Sequence, residues 1–116
     1  MTEEEKQAKR DELNGLISDY QGVYDDLEDE KRQIEANRKN IEEGVHTPLD
    51  EYDLSGEGDD WKGVNYEDAE DYKSTICSEM FSYDSDVGTV LSEIATALQK
   101  IADKIKALQD ELAALG

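Results

Sequence analysis

Apolar side chains recur every seven residues along the first third of the chain, and this periodicity constrains the fold more than any other feature. Seven residues make about two turns of an α-helix, so the spacing places one apolar stripe on a helix. Thr2 and Glu5 form a capping-box pattern, and Gly44 followed by Pro48 is typical of a helix end. We therefore predict a first helix over about residues 3–43. Its stripe comprises Leu13, Tyr20, Leu27, Ile34 and Ile41.

A second heptad pattern runs through the C-terminal half. Its apolar residues alternate three and four positions apart, which is the spacing of a coiled-coil seam. We predict a second helix over about residues 64–115, after a connector over residues 45–63. The apolar positions before the seam are Tyr66, Ala69, Ile76, Met80 and Tyr83. The seam itself comprises Val87, Leu91, Ile94, Leu98, Ile101, Ile105, Leu108 and Leu112.

Two helices of similar length, joined by one connector, are expected to fold back on each other. The predicted fold is all-α, a long antiparallel helical hairpin that forms a single domain of residues 1–116. A two-helix hairpin has one shared seam and no enclosed core, so it buries little apolar surface. We therefore expect the hairpin to complete a helical bundle with a partner, either a second copy or another protein.

The charge balance excludes several classes of partner. The chain has 12 basic and 31 acidic residues, a formal charge of -19. Nucleic acids and anionic membranes both need a Lys- and Arg-rich surface, so neither is an expected partner. No apolar run approaches the ~20 residues of a membrane span, and the N-terminal residues lack the pattern of a Sec signal. We expect a protein made soluble in the cytoplasm, with any export independent of Sec.

Residue patterns for catalysis or cofactor binding are missing from the sequence. His46 is the one histidine and Cys77 the one cysteine. Residues 53–59 place oxygen ligands at the first positions of an EF-hand loop, but Val64 replaces the bidentate glutamate that ends such a loop. We therefore predict a non-enzymatic protein with no metal and no cofactor. Cys77 is expected to act as a small buried hydrophobic residue.

A second face of the predicted C-terminal helix carries small hydroxyl residues in place of charges. Ser78, Ser82, Ser85, Thr89, Ser92 and Thr96 are four and three positions apart, roughly opposite the apolar seam, and Gly88 lies beside them. Small side chains allow another helix to approach closely, although a solvated face that lacks charge is the alternative. The predicted partner-binding residues are Ser82, Ser85, Gly88, Thr89, Ser92 and Thr96.

The one tryptophan lies in the sequence Trp61-Lys62-Gly63, where the connector meets the second helix. Gly63 would permit backbone geometry that other residues avoid, and Trp61 would either pack the turn or contact a partner. A heptad-rich first helix, this W-x-G, the aromatic segment 66–72 (YEDAEDY) and the C-terminal helix follow in order. The arrangement resembles the WXG (ESAT-like) superfamily of type VII secretion, and its second half looks closest to YwqH-like proteins.

That resemblance implies a function. Related small helical proteins bind the helical LXG domain of effector toxins as targeting factors or chaperones, and they are exported with the toxin through the type VII system. A second small helical protein is a further partner that the resemblance allows. The family's Y-x-x-x-[D/E] export motif is missing from residues 108–116, which contain no aromatic. Two alternatives stay open: a self-associating coiled coil without a secretion role, and an acidic decoy for a basic partner.

Overall fold

A computed structural model describes residues 1–51 and 64–116, apart from the side chains of residues 64–66. Its elements are α1 (Glu3–Ile41), a π-helical turn (Glu42–His46), α2 (Thr47–Glu51) and α3 (Val64–Ala114). Every element in these two ranges is helical, which confirms the all-α prediction. None of these helices combines the length and the hydropathy needed to cross a bilayer.

The first helix begins where the capping pattern predicts. The backbone N–H of Glu5 donates to Oγ1 of Thr2 at 3.1 Å, which satisfies one of the amides that a helix start leaves unpaired. Three acidic residues, Glu3–Glu5, fill the first turn and interact favourably with the positive end of the helix dipole.

The prediction that Gly44 ends this helix is wrong. The helical backbone continues to Glu51, and no glycine of the described ranges has a positive φ except Gly116. The backbone N–H of Thr47 donates to the carbonyl of Glu42, five residues earlier, which widens the turn. Pro48 has no N–H and crowds the carbonyl four residues before it. The π-helical turn lies directly before α2, which contains this proline, and the helical backbone continues through both elements.

The described chain forms two compact units. The terminal unit consists of Met1–Gln33 and Leu91–Gly116, and the connector unit consists of Ile34–Val90. Both units draw on α1 and α3, and each of them pairs two antiparallel helical segments.

The terminal unit has a buried apolar seam. Leu13 is 1 % exposed, and three α3 side chains are buried with it: Leu98, Ile105 and Leu108. Nζ of Lys9 lies 3.8 Å from a carboxylate oxygen of Glu111, which places the start of α1 beside the end of α3. The other predicted seam residues of this unit are half-buried: Tyr20, Leu27, Leu91, Ile94, Ile101 and Leu112.

The connector unit has no fully buried side chain among its described residues. Its antiparallel segments are residues 34–51 and 64–90, and contacts between Arg38 and Asp84 and between Asp50 and Cys77 define their direction. The predicted seam residues Ile34, Ile41 and Val87 are half-buried here.

Candidate partner-binding surface of the connector unit

An ion pair joins the two helices of the connector unit at seam positions. Nε of Arg38 donates to Oδ1 of Asp84 at 2.7 Å, and Nη2 donates to Oδ2 at 3.0 Å. This bidentate contact lowers the pKa of Asp84 and raises that of Arg38, chiefly through the hydrogen bond that the two side chains share. Each side chain remains about one-third exposed, so the ion pair contributes little net free energy. Its role is to align the two helices through its bidentate geometry.

Gly88 lies beside this ion pair. A Cβ atom added at Gly88 would lie 3.5 Å from Nη2 of Arg38, at ordinary contact distance. The structure therefore places Gly88 next to α1, whereas the sequence pattern grouped it with the hydroxyl residues of α3.

A second polar contact joins the helices nearer the connector. The Cys77 thiol donates to Oδ1 of Asp50 at 3.4 Å, and Nζ of Lys73 donates to the Asp50 carbonyl at 3.5 Å. Partial burial raises the pKa of Cys77, and the bond to Asp50 adds to that effect. The thiol therefore stays protonated near neutral pH and is a poor nucleophile. The sequence predicted that Cys77 is a small buried hydrophobic residue. It is instead half-buried, and its thiol makes a polar contact with Asp50.

The polar seam leaves apolar side chains of α3 outside it. Ile76 is 43 % exposed, Tyr83 is 54 % exposed and Val90 is 44 % exposed. These three residues are spaced by seven, so they form a line along one side of the helix. We call Ile76, Tyr83 and Val90 the apolar row. The predicted apolar stripe of the second helix is thus divided, because Met80 is half-buried while Ile76 and Tyr83 are exposed.

An open groove of about 410 Å³ lies beside Ile76 and Tyr83 of the apolar row. Its lining comprises Ile41, His46, Ile76, Glu79, Met80 and Tyr83. Four of these six side chains are apolar or aromatic, so the groove suits apolar contacts more than polar ones.

Two exposed acidic residues, Glu79 and Asp86, lie next to the apolar row. Each is three residues after one member of the row and four before the next, which places it on the adjoining helical line. We call Glu79 and Asp86 the acidic row. Within the described part of the chain, no basic side chain forms a salt bridge with either residue.

The opposite side of the seam contains a polar recess of about 220 Å³. Its lining includes Glu42, Asp50 and Asp84, with the ring of Phe81 exposed at its rim. Across residues 1–51 and 64–116, no group of three potential metal ligands converges.

The predicted hydroxyl face is on the surface. Ser82, Ser85, Thr89, Ser92 and Thr96 are all exposed. The Thr89 hydroxyl donates to the carbonyl of Ser85 at 3.2 Å, and the Thr96 hydroxyl donates to that of Ser92 at 3.1 Å. These two hydroxyls are therefore engaged within their own helix.

Two predicted residues of the turn motif, Trp61 and Gly63, lie outside the described residues, as does the acidic loop of residues 53–59. Their roles stay predictions.

Sequence reasoning missed the apolar row as a separate surface. The signal was present, because Ile76, Tyr83 and Val90 are seven residues apart. Ile76 and Tyr83 were assigned to the stripe of the hairpin because they are apolar. The polar residues Cys77 and Asp84, one position later in each heptad, occupy the seam instead.

Comparison of the chain with protein-family models, with curated proteins and with solved structures gives no match. The similarity to the WXG superfamily therefore rests on the sequence motif and the order of the helices, and it stays a prediction.

Proposed function

We propose that this chain is a non-enzymatic interaction protein of type VII secretion. It binds the helical LXG domain of an effector toxin, acts as its targeting factor or chaperone, and is exported with it. One observation supports this proposal most: the connector unit leaves the apolar row exposed, while an ion pair between Arg38 and Asp84 occupies part of its seam. A partner helix that covered this row would complete a bundle.

Contact with the apolar row would add favourable free energy to docking. Complete burial of a Val, Leu or Ile side chain contributes about 1.5–3 kcal/mol, and the members of the apolar row are roughly half exposed. Covering the remaining surface of each residue would contribute about 1 kcal/mol on the same scale. The resemblance to LXG-associated proteins supplies the class of partner.

Co-expression tests the proposal. The full-length chain is produced together with the LXG domain of a toxin encoded beside it, and the tagged LXG domain is purified. We expect the chain to co-purify with the LXG domain as one species in size-exclusion chromatography with light scattering. The control is an LXG domain from a toxin encoded elsewhere, which should bind weakly.

Two results would overturn the proposal. A stable homodimer that binds none of the LXG domains would favour a self-associating coiled coil. Binding to unrelated basic proteins that disappears at high salt would favour an acidic decoy, because screening weakens contacts between exposed charges.

A further inference from the structure

We infer that the apolar row and the acidic row together form a docking surface for an amphipathic helix with a basic edge. This inference rests on the proposed function, because it names the face that a helix of the effector would cover and the chemistry of that helix. The partner helix would place an apolar stripe against Ile76, Tyr83 and Val90, and Lys or Arg side chains against Glu79 and Asp86.

The spacing suits a helix as the occupant. Members of the apolar row recur every seven residues, about 10.5 Å along the axis at 1.5 Å per residue. A partner with apolar residues at the same interval would pack beside them over two heptads, as helices of a coiled coil do. The groove between this row and α1 offers space for the partner's apolar side chains, with Ile41 and Met80 in its lining.

The charge of the surface selects the edge of the partner. Residues 34–90 contain 4 basic and 16 acidic side chains. Glu79 and Asp86 are exposed on α3. Basic side chains on the partner would neutralise them, whereas a second copy of this chain would bring the same acidic residues close together. Charge complementarity therefore favours a basic helix over self-association.

The apolar row is also better suited to a partner than the hydroxyl face. Thr89 and Thr96 already donate their hydroxyl groups within α3. The hydroxyl face offers no large apolar side chain, whereas the apolar row offers three that are partly exposed to water. Truncation of central apolar anchors is what most often costs binding energy at protein interfaces.

A pair of matched double variants tests the apolar row in the full-length protein. Ile76→Glu with Tyr83→Glu places two glutamates on the row. Ser78→Glu with Ser85→Glu places two glutamates at the same spacing on the hydroxyl face. The probes are the LXG domain and a synthetic three-heptad helical peptide with a leucine stripe and a lysine edge. Binding is measured by titration calorimetry.

We expect the first double variant to bind both probes at least about 30-fold more weakly than the unmodified chain, which is the usual effect of losing a central anchor. The second variant should bind within about threefold of the unmodified chain, since rim charges contribute little. All four replaced side chains are exposed, so both variants should keep their helix content in circular dichroism. Equal weakening by both variants would overturn the inference.

A charge swap tests the acidic row independently of the fold. Glu79→Lys with Asp86→Lys should weaken binding of the lysine-edged peptide and strengthen binding of a matched glutamate-edged peptide. A swap that changes both affinities in the same direction would overturn the assignment of the acidic row.

The outcomes separate this inference from the proposed function. If the LXG domain binds the unmodified chain and the Ile76→Glu, Tyr83→Glu variant equally well, the function stands and the surface is wrong. If the LXG domain fails to bind while the lysine-edged peptide binds with the expected variant effects, the surface stands and the function is wrong. A homodimer that the Ile76→Glu, Tyr83→Glu variant converts to monomer would overturn the inference in favour of a second copy.

Discussion

The terminal unit and the connector unit use the same two long helices and the same heptad spacing, but they fill their seams with different side chains. In the terminal unit, Leu13 and three apolar residues of α3 are buried. In the connector unit, Arg38, Asp84 and Cys77 take seam positions, and the apolar row is left exposed. The comparison indicates that the two units have different roles: the terminal unit provides stability, and the connector unit provides a surface for a partner.

The physical basis of this difference is that apolar and polar contacts contribute different amounts of free energy. Burial of a leucine in a seam contributes about 1.5–3 kcal/mol, whereas an exposed ion pair contributes little net free energy. A polar contact such as Arg38 with Asp84 is still directional, so it aligns two helices without covering their apolar neighbours. A unit held in this way keeps apolar area available for a partner.

Truncation in each seam should give the largest contrast between the units. Leu13→Ala removes a side chain that is 1 % exposed, and we expect it to lower the free energy of unfolding by about 2–3 kcal/mol. Ile41→Ala removes a half-buried side chain of the connector unit and should cost about half as much, because water already covers part of it. Urea denaturation followed by circular dichroism measures both. An equal loss of unfolding free energy for the two variants would contradict these different roles of the two units.

Glycine replacement should give a smaller effect that is similar in the two units. Gly22→Ala in the terminal unit adds a methyl group with no atom within 4 Å, and Gly88→Ala places one at contact distance from Arg38. Both residues lie within helices, so each change should raise the free energy of unfolding by about 0.5–1 kcal/mol. Thermal denaturation measures the effect. A loss of stability for Gly88→Ala alone would show that Arg38 cannot move to accept the methyl group.

The ion pair should give the smallest effect, and that effect should depend on pH. The pKa of Asp84 is lower in the folded chain, so its contribution is complete above the unfolded pKa of about 3.9 and is lost as pH falls through the folded pKa. Asp84→Asn should therefore be slightly less stable than the unmodified chain near pH 7, and the difference should shrink as pH falls through the folded pKa of Asp84. Urea midpoints measured over a series of acidic pH values follow this change. Asp103→Asn in the terminal unit is the matched control, and a pH dependence of the same size there would contradict a specific role for Asp84.

Most of the fold was predictable from periodicity. The heptads predicted two long helices, and α1 and α3 lie in the two heptad regions. The buried residues of the terminal unit were all members of the predicted seams. The end of the first helical stretch was not predictable in the same way, because Gly44 and Pro48 usually mark a helix end, and a π-helical turn carries the backbone past them.

The surface was less predictable than the fold. The sequence pattern placed Ile76 and Tyr83 among the apolar positions of the second helix, but Cys77 and Asp84 beside them make the contacts with the first helical stretch. A sequence shows which residues are one heptad apart, but it does not show which of two neighbouring lines on a helix faces the other helix. That choice depends on contacts between distant residues, here the bonds from Arg38 to Asp84 and from Cys77 to Asp50.

The sequence by itself determined the helical class, the regions of the two main helices and the acidic character of any contact surface, because each follows from local spacing and composition. Only the tertiary structure decided which apolar side chains are buried and which remain available to a partner. The physical reason is the rotation of α3 about its own axis. Pairing through polar residues in the connector unit turns the apolar row of α3 toward water, whereas the sequence periodicity is the same whichever side of the helix faces its neighbour.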